Sequence, residues 1–405
     1  MNNMTAGNKI PKIRFQEFSS EWEQLKAEEI FETVDDRRHP ELPVLAASQE
    51  LGMVQRNKIN YDISYDKKNA VTYKHVMPGQ FVIHLRSFQG GFAHSDTEGI
   101  TSPAYTVMDF KEKERHDDYY WKYVFSSDTF IKRLESVTYG VRDGRSISYD
   151  DFKKLEFRIP DNNEQRKIGK LLKNINRLIL NKTVKYSKLL KIKKTLIKKI
   201  FVEEGMEEPA IRLKGFSGSW KRHKLSDIAD IIGGGTPNTD VPEYWDGDID
   251  WYSPTDIGNN VYLNCATKKI TKLGLKKSSA RILPANKTIL FTSRAGIGNM
   301  AILQKAGATN QGFQSLVIHD GYDIYFIYSA GCLIKKYALS NASGSTFLEI
   351  SPTVLGNMEI MIPDEKEQKA IGNYFRQLDH HIYLYQQELS KIEKLKIALI
   401  DKMFI

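Results

Sequence analysis

Residues 159–169 read IPDNNEQRKIG, and residues 362–372 read IPDEKEQKAIG, the same pattern 203 positions later. A second pair of matching segments lies upstream in each half. Residues 11–22 read PKIRFQEFSSEW, and residues 209–220 read PAIRLKGFSGSW, 198 positions later. Because the two offsets nearly agree, the chain contains two copies of one unit, and each copy is a globular stretch followed by a long helix.

Both long helices begin with the same signal. Asp161 is followed by Glu164, and Asp364 is followed by Glu367, in each case directly after a proline. An aspartate N-cap with a glutamate three residues later is a capping box. About forty residues without proline follow each signal, which at about 1.5 Å per residue predicts rods of roughly 60 Å.

Apolar residues recur in both helices at spacings of three and four, which indicates one apolar stripe along each rod. Since a single exposed rod with such a stripe lacks a partner, the sequence predicts that the two rods pair as an antiparallel coiled coil with a pseudo-twofold axis. The residues predicted to form the contact surface and to dock partners are Ile168, Leu171, Ile175, Leu178, Leu189, Ile371, Tyr374, Leu378, Ile392 and Leu395.

The charge balance favours an acidic partner. The chain has 59 basic and 50 acidic residues, a net charge of +9, which favours nucleic acid over a membrane surface. A mildly basic protein without such a partner would have the same balance. The first helix, from Glu164 to Phe201, carries 13 basic residues and 1 acidic residue, whereas the second has 7 of each from Asp364 to Ile405. This excess is either a solvated face or a surface toward DNA phosphates or an acidic partner.

The sequence also indicates a compartment. Cys265 and Cys332 have no metal-ligand spacing, so they are expected to be core thiols in a reducing environment. His380 and His381 lack an acidic or cysteine partner at ligand spacing, and we expect no metal site. The first residues show no apolar signal region, and no apolar run reaches the length of a membrane span. We therefore expect a cytoplasmic protein.

The globular stretches combine strands, turns and helices. Apolar runs between turn residues predict strands, for example at 81–83 and 288–291, and longer patterns predict helices at 117–136 and 324–338. The predicted fold class is α+β, with two mixed α/β domains separated by the two long helices. The predicted boundaries are 1–160 and 209–362 for the globular domains, 161–208 for the first helix with its linker, and 363–405 for the second helix.

Polar loops in both domains carry side chains suited to DNA. Arginine reads guanine edges with two hydrogen bonds, asparagine and glutamine read adenine, and serine and threonine hold phosphates. Each could equally be an ordinary loop residue, and Trp245 and Trp251 could stack on bases or cover the core. The candidates for DNA contact are Arg86, Ser87, Gln89, Arg142, Arg145, Thr236, Asn238, Thr239, Thr292, Arg294, Asn310, Gln311 and Ser345.

Motifs for catalysis are missing. The glycines at 233–235 are not followed by the lysine of a phosphate-binding loop, and the chain has no Pro-Pro pair for an adenine methyltransferase motif. Asp364, Glu367 and Lys369 superficially resemble a nuclease site, but their spacing is too short and the capping box accounts for them. We expect no catalytic residue in this chain.

The order of domain, helix, domain and helix resembles the specificity subunit of type I restriction-modification systems. The residues that carry the resemblance are Ile-Pro-x-x-x-Glu-Gln-x-x-Ile-Gly at 159–169 and 362–372, Gly-Gly-Thr-Pro at 234–237, Asn-Gln-Gly-Phe at 310–313 and Ile-Ser-Pro at 350–352. The likeness covers essentially the whole chain. The first domain lacks the Gly-Gly-Thr-Pro and Asn-Gln-Gly-Phe motifs, so the two domains have diverged and an asymmetric target is expected.

The resemblance implies a function for each part. Each domain would be a target recognition domain for one half of a split site in double-stranded DNA, and the paired helices would set the gap and dock two modification subunits. Those methyltransferase subunits would hold S-adenosylmethionine, and restriction/translocase subunits would use ATP and Mg. This chain would supply the sequence address without a cofactor, a metal, catalysis or a membrane contact.

Three other functions stay open on the residues alone. A self-contained nuclease or methyltransferase would use Asp364, Glu367 and Lys369. A coiled-coil scaffold would show no sequence-dependent DNA binding. A stand-alone regulator would bind DNA without associated methylation, although no helix-turn-helix pattern is visible.

Overall fold

The computed structural model describes residues 10–48, 51–56, 67–84, 91–134, 138–139, 146–202, 205–258, 260–294, 296–344 and 348–405. The chain divides into two compact units, Met1–Thr183 with Glu388–Ile405, and Val184–Gln387. Each unit therefore combines one globular domain with a part of each long helix. The predicted domain boundaries, which assign each helix to a separate segment, stay a prediction.

The first unit is built from short strands and helices. Its described strands are β1 (Glu23–Lys26), β2 (Phe31–Val34), β3 (Leu45–Ser48), β4 (Gly52–Gln55), β5 (Lys74–Val76), β6 (Phe81–Ile83), β7 (Phe92–His94), β8 (Gly99–Thr101), β9 (Thr106–Phe110), β10 (Thr138–Tyr139), β11 (Ser146–Ile147) and β12 (Glu156–Ile159). Its helices are α1 (Ala27–Ile30), α2 (Asp118–Phe125), α3 (Asp128–Leu134), α4 (Tyr149–Phe152) and the beginning of α5 (Asn162–Ile200), with 3₁₀ turns at Lys67–Thr72 and Lys113–Arg115.

An antiparallel sheet in the order β2-β9-β6-β7 forms the centre of the first unit, and β1 pairs with β12 just before α5 begins. Smaller ladders join β3 to β4, β5 to β8 and β10 to β11. The core between sheet and helices is aromatic. The ring centroid of Phe31 lies 4.9 Å from that of Trp121 and 6.2 Å from that of Phe81, and all three side chains are buried. Edge-to-face packing of this kind adds to the stabilisation from apolar burial.

The second unit repeats this plan with a larger central sheet. Its described strands are β13 (Lys221–Lys224), β14 (Ala229–Gly233), β15 (Trp245–Tyr252), β16 (Tyr262–Leu263), β17 (Lys268–Ile270), β18 (Thr288–Phe291), β19 (Met300–Leu303), β20 (Gly307–Thr309), β21 (Gln314–Ile318) and β22 (Glu359–Ile362). Its helices are α6 (Leu225–Ile228), α7 (Lys272–Lys276), α8 (Ile324–Ser329), α9 (Gly331–Asn341), α10 (Pro352–Gly356) and most of α11 (Glu365–Met403), with 3₁₀ turns at Pro242–Tyr244 and Pro254–Asp256.

A five-stranded sheet in the order β14-β21-β18-β19-β16 forms the centre of the second unit. The chain between β14 and β21 also contributes the strands of a three-stranded sheet in the order β17-β15-β20. Strand β13 pairs with β22 just before α11. The buried side chains of Phe291, Leu316 and Phe326 share the main apolar core of this unit. The predicted α+β class and the predicted strands at 81–83 and 288–291 are confirmed.

The two predicted domain helices are each broken into two. The segment predicted at 117–136 consists of α2 and α3, because Ser127 begins a new helix by accepting a hydrogen bond from the amide of Phe130 at 3.2 Å. The segment predicted at 324–338 consists of α8 and α9, which meet at Ala330. Cys265 and Cys332 are exposed, so the expectation that they are core thiols is wrong.

Each long helix is anchored by a buried ion pair that joins the two repeated motifs. Arg14 donates to Glu164 from Nε and Nη2, both at 2.7 Å, and Arg212 donates to Glu367 at 2.8 and 2.6 Å. Both carboxylates are fully buried. Asp161 and Asp364 cap the helices as predicted, but the glutamates turn to arginine instead of completing a capping box. The physical reason is the low local dielectric, in which a charged, bidentate partner stabilises a carboxylate more than one backbone N–H does.

The glutamine and glycine of the motif also have defined contacts. Gln165 donates to the carbonyl of Pro160 at 2.9 Å and accepts from the amide of Asp117 at 3.1 Å. Gln368 repeats both contacts in the second unit, with Pro363 and Asp323. A Cβ on Gly169 would clash with the Oδ1 of Asp117, and one on Gly372 with the Oδ1 of Asp323. The motif therefore fixes the start of each long helix against the capping aspartate of α2 or α8.

Within each unit, the start of one long helix lies against the end of the other. In the first unit Lys182 pairs with Glu388. Tyr120, which packs beside Gly169, contacts Phe404 in a tilted arrangement with ring centroids 5.3 Å apart. These contacts give the helix segments opposite directions. The backbone amide of Ile13 also donates to the carbonyl of Lys402 at 3.0 Å.

The second unit shows the same arrangement from equivalent residues. Lys193 pairs with Asp379, and Phe201 and Phe375 stack with ring centroids 6.0 Å apart. The amide of Ile211 donates to the carbonyl of Lys199 at 2.9 Å, as Ile13 does to Lys402 in the first unit. The predicted antiparallel pairing is therefore confirmed for the helix segments inside each unit.

The predicted contact stripe is displaced by one residue at several positions. The less exposed positions of α5 include Leu172, Ile179 and Lys193, where the sequence predicted Leu171 and Leu178, and in α11 Phe375 is buried where Tyr374 was predicted. Ile168 and Ile371 belong to the apolar cores of their own units, so they are not available to an external partner. Of the predicted partner residues, those with exposed side chains are Leu178, Tyr374 and Leu395. Within the described residues, every helix lacks the combination of length and hydrophobicity that a membrane span needs.

Candidate nucleic-acid interface

The described DNA-contact candidates lie in the second unit. Arg86, Ser87, Gln89, Arg142 and Arg145 of the first domain, and Ser345 of the second, lie outside the described residues. The remaining seven are Thr236, Asn238, Thr239, Thr292, Arg294, Asn310 and Gln311.

Three loops that carry these residues meet at one edge of the five-stranded sheet. Gly233 at the end of β14 pairs with Gln314 at the start of β21, and β18 runs antiparallel to β21, so it ends at the same edge. The loops that follow β14, β18 and β20 are therefore neighbours. The amide of Ser293, in the second loop, donates to the carbonyl of Gly312, in the third, at 2.8 Å.

The Gly-Gly-Thr-Pro loop is held by close backbone packing. The amide of Gly235 donates to the carbonyl of Thr309 at 2.9 Å, and the indole of Trp251 donates to the carbonyl of Gly235 at 2.9 Å. A Cβ on Gly234 would clash with the carbonyl oxygens of Thr309 and Asn310, so only glycine allows this approach. Trp251 is buried and meets Trp245 edge-to-face at 5.1 Å, which makes it part of the core.

This packing presents polar side chains to solvent. The hydroxyl of Thr236 donates to the Oε1 of Gln311, which leaves the amide nitrogen of Gln311 free to donate outward. The side chains of Thr236, Asn238, Thr239 and Gln311 are exposed. The Oδ1 of Asn310 accepts from the amide of Gly312 at 2.8 Å, so that side chain partly serves the loop itself.

In the turn at 292–299, the last two candidates, Thr292 and Arg294, differ in burial. Thr292 is fully buried, and its hydroxyl donates to the carbonyl of Gly296 at 2.6 Å and accepts from the amide of Asn299 at 2.9 Å. Thr292 therefore holds the turn, and its side chain is not exposed to solvent. Arg294 is half-buried two residues further on, next to the loop of Gln311.

A basic surface that the sequence motifs do not indicate lies next to this edge. Between residues 268 and 281 the chain has six basic residues and no acidic one. This segment packs under the first loop: Thr271 donates to the carbonyl of Glu243 at 2.8 Å, and a Cβ on Gly235 would lie 2.6 Å from the amide nitrogen of Ala280. The exposed cations are Lys268, Lys269, Lys272, Lys276, Lys277 and Arg281. Charge counted over this short window, and not over the whole chain, would have found them.

Hydrogen bonds to the carboxylate of Asp256 stabilise the turn that lies against the segment carrying Gln311. Burial would raise the pKa of Asp256, but hydrogen bonds from Thr267 and Ser253 together lower it. The ionised carboxylate accepts from the amide and hydroxyl of Thr267 at 3.0 and 2.5 Å. Pro254 of the same turn lies directly against Gly312, as a Cβ there would lie 2.9 Å from its ring. The turn therefore supports the segment that carries Gln311.

The nuclease-like residues are explained by the fold. The buried carboxylate of Glu367 accepts from Arg212, Asp364 caps α11, and Lys369 donates to Glu365 at 2.6 Å. These residues do not form a group that could share a metal ion. Within the described residues, such a group of side chains is formed by Asp36, His39 and His75. It joins the loop after β2 to β5, and the sequence did not single it out because His75 is distant from the other two residues in the chain. Hydrogen bonds from His75 and His39 lower the pKa of Asp36.

Comparison with known proteins identifies a family for this sequence. The sequence profile of the family described as type I restriction modification DNA specificity domain matches residues 19–191 and again residues 218–394.

Individual relatives carry the same kind of name. The type I restriction enzyme MjaIX specificity subunit of Methanocaldococcus jannaschii is 35% identical over 191 residues, 46% of this chain and 44% of that protein. The HindI specificity subunit of Haemophilus influenzae is 26% identical over 171 residues, covering 40% and 37%. The MjaVIII specificity subunit of M. jannaschii is 25% identical over 328 residues, covering 75% and 73%. The chain thus spans less than half the length of the first two relatives.

Solved structures agree in fold. The crystal structure of a type I restriction-modification system S subunit from M. genitalium has a TM-score of 0.64 at 16% identity, covering 98% of this chain and 99% of that one. A chain from a structure of the type I R-M system, solved to explain complex assembly and conformational transition, has a TM-score of 0.54 at 17% identity, covering 95% and 97%. Because the family profile matches twice and covers most of the sequence, this chain belongs to the family of type I restriction modification DNA specificity domains.

Proposed function

We propose that this chain is the non-catalytic DNA-recognition subunit of a type I restriction-modification complex, with one target recognition domain in each unit. The observation that carries the proposal is that one chain contains two copies of a DNA specificity domain whose loops differ. Two different readers imply a bipartite, asymmetric site in double-stranded DNA. The long helices between them would set the gap between the two half-sites.

The second unit offers the parts that such a reader needs. Gln311 and Asn238 are exposed amides that can read adenine edges, although the Oδ1 of Asn238 also accepts from the amide of Asp240 at 3.0 Å. Arg294, in the loop next to that of Gln311, is a candidate for guanine. The exposed cations between Lys268 and Arg281 would hold phosphates without reading bases. Substituting a base-reading residue should therefore relax sequence specificity, whereas substituting a phosphate-binding lysine should weaken binding to all sequences alike.

The helices supply the surface for assembly. Exposed apolar side chains such as Leu178, Tyr374 and Leu395 need a cover, and two modification subunits would provide it. In this proposal the modification subunits hold S-adenosylmethionine and methylate adenine, and restriction/translocase subunits use ATP and Mg. The assembly would work in the cytoplasm, and this chain would contribute no cofactor.

Selection from a random DNA library tests the proposal. The full-length chain is co-expressed with modification subunits encoded in the same genome, and the complex is used to select duplexes. We expect two short conserved blocks separated by a fixed gap. Changing Lys272, Lys276 and Lys277 together to glutamine should weaken binding and reduce its salt dependence, with a slope change of about 0.9 per lost phosphate contact, but should leave the blocks unchanged. Enrichment of no sequence would favour the coiled-coil scaffold.

A further inference from the structure

Three side chains of the first unit, two from the loop between β2 and β3 and one from β5, converge beside that loop. The Nδ1 of His75 lies 2.8 Å from the Oδ2 of Asp36, and the Nε2 of His39 lies 3.2 Å from the same oxygen. The two imidazole rings are 4.4 Å apart between centroids. All three ligand atoms lie within 4.8 Å of one another, so one small ion can reach each of them.

The distances suit a transition metal. Zinc binds histidine nitrogen and carboxylate oxygen at about 2.0–2.1 Å, which puts neighbouring ligand atoms of a tetrahedral site roughly 3.3 Å apart. The separations of 2.8 and 3.2 Å between the two nitrogens and this carboxylate oxygen need only a small widening to reach this value. A set of two imidazoles and one carboxylate excludes Ca²⁺ and Mg²⁺ as the preferred ions, because those take oxygen ligands.

Each histidine also has an outer carboxylate on its other nitrogen. The Nε2 of His75 lies 3.0 Å from the Oε1 of Glu98, and the Nδ1 of His39 lies 3.7 Å from the Oε1 of Glu41. Metal-binding histidines commonly donate to such a carboxylate, which fixes the ring and its tautomer. His75 has this contact with Glu98, whereas 3.7 Å is an ion-pair distance too long for a hydrogen bond from His39 to Glu41.

The charges around the cluster leave a place for a cation. A neutral imidazole has one N–H, so His75 cannot donate to both Asp36 and Glu98 at once. Asp36, Glu41 and Glu98 together bring three carboxylates to the two rings. Two nearby cations have other partners, since Arg37 pairs with Asp35 and Lys74 donates to the carbonyl of Tyr105.

We propose that Asp36, His39 and His75 form a site for a divalent transition metal of the zinc class, completed by solvent at its open position. Its role is to fasten the loop after β2 to β5, where the amide of His75 already donates to the carbonyl of Asp36 at 2.7 Å. In the chain, this loop occupies the position that the Gly-Gly-Thr-Pro loop occupies in the second unit, directly after the matching strand. The site goes beyond the proposed function and does not depend on DNA binding.

Measuring the number of metal ions bound per full-length chain tests the site. The protein carries Cys265→Ser and Cys332→Ser to remove the two exposed thiols, is stripped with a chelator, and is titrated with Zn²⁺ by calorimetry and with Co²⁺ by visible absorption. We expect one tightly bound ion per chain. His39→Gln and His75→Ala should abolish this binding, and Glu98→Gln should weaken it by about 10-fold or more.

The matched control is His319→Gln. His319 also pairs with a carboxylate, since its Nε2 lies 3.0 Å from Asp230, but it belongs to no three-ligand group within the described residues. This variant should bind the metal as the parent does. Circular dichroism verifies that His39→Gln, at a partly exposed position, remains folded. Absence of tight metal binding by the parent, or equal binding by folded His39→Gln, would overturn the site.

Discussion

The carboxylate of Glu367 accepts two hydrogen bonds from the guanidinium of Arg212, although 155 residues separate them in the chain. The first unit contains the same pair as Arg14 and Glu164. Each arginine follows an isoleucine whose backbone amide donates to the end of the other long helix. One short segment therefore holds the start of one helix and the end of the other, which explains why these motifs occur twice.

Removing Arg212 should destabilise the second unit strongly. Arg212→Ala leaves the Glu367 carboxylate fully buried without its bidentate partner, a change that typically costs about 3–5 kcal/mol. Urea unfolding followed by tryptophan fluorescence measures the loss. The control is Lys369→Ala, which removes an exposed pair with Glu365 and should cost less than about 1 kcal/mol. Equal losses in the two variants would show that the buried pair has no special role.

Gly169→Ala should also destabilise the protein, although alanine favours a helix over glycine by about 1 kcal/mol. The new Cβ would lie 2.8 Å from the amide nitrogen of Tyr120 and closer still to the Oδ1 of Asp117. Overpacking of this kind costs about 1–3 kcal/mol, which exceeds the gain in propensity. Thermal unfolding compares it with Gly258→Ala, where a Cβ meets no atom within 4 Å. An increase in stability for Gly169→Ala would contradict the packing.

The first unit should lose stability in mild acid through His116. Burial, with a smaller contribution from Arg115, lowers the pKa of His116 to about 4 from 6.5, and its ring stacks on Phe110 at 5.2 Å. Because the folded pKa lies below the unfolded one, the unfolded chain binds the proton first. The stabilisation is therefore present above about pH 6.5 and is lost progressively as the pH falls to about 4.

The His116→Phe variant tests this assignment, since it keeps the stacking and removes the titration. Its free energy of unfolding should fall less than that of the parent between pH 6.5 and 4. His319→Phe is the control, because a hydrogen bond to Asp230 raises the pKa of His319 and gives the opposite sign. An unchanged acid dependence in His116→Phe would assign the effect to other groups.

Substituting Arg294 should affect one half-site only. Arg294→Ala removes a candidate guanine contact, so it should weaken DNA binding by about 1–3 kcal/mol and relax the sequence at one position. Library selection with the assembled complex measures both effects. Lys287→Ala is the control, because Lys287 pairs with Asp320 on the surface. Relaxed bases in both half-sites would contradict the assignment of one reader to each unit.

The sequence predicts the repeat, the helices and their direction because these depend on local patterns that occur twice. The stripe along the helices was displaced because neighbouring positions are both apolar, as in Leu171-Leu172 and Leu178-Ile179. Spacing alone cannot choose between such neighbours. Ion pairs between the helices determine which positions face the partner helix. Lys182 and Lys193 lie in the stripe because they pair with Glu388 and Asp379.

The site was predicted less completely because it depends on contacts between distant loops. The motif Gly-Gly-Thr-Pro and the residues of Asn-Gln-Gly-Phe do meet, since Thr236 donates to Gln311. The burial of Thr292 follows from a turn that closes only in three dimensions. The meeting of Asp36 with His75 likewise follows from the pairing of loop and strand, which no spacing rule describes.

The measurement that tests the account most directly is a map of adenine methylation in host DNA. This chain is co-expressed with the modification subunits of the same genome, and methylated adenines are located by single-molecule sequencing. The account predicts one bipartite, asymmetric motif, methylated on both strands and lost when this chain is deleted. Methylation that persists at the same motif without this chain would contradict its role as the DNA-recognition subunit.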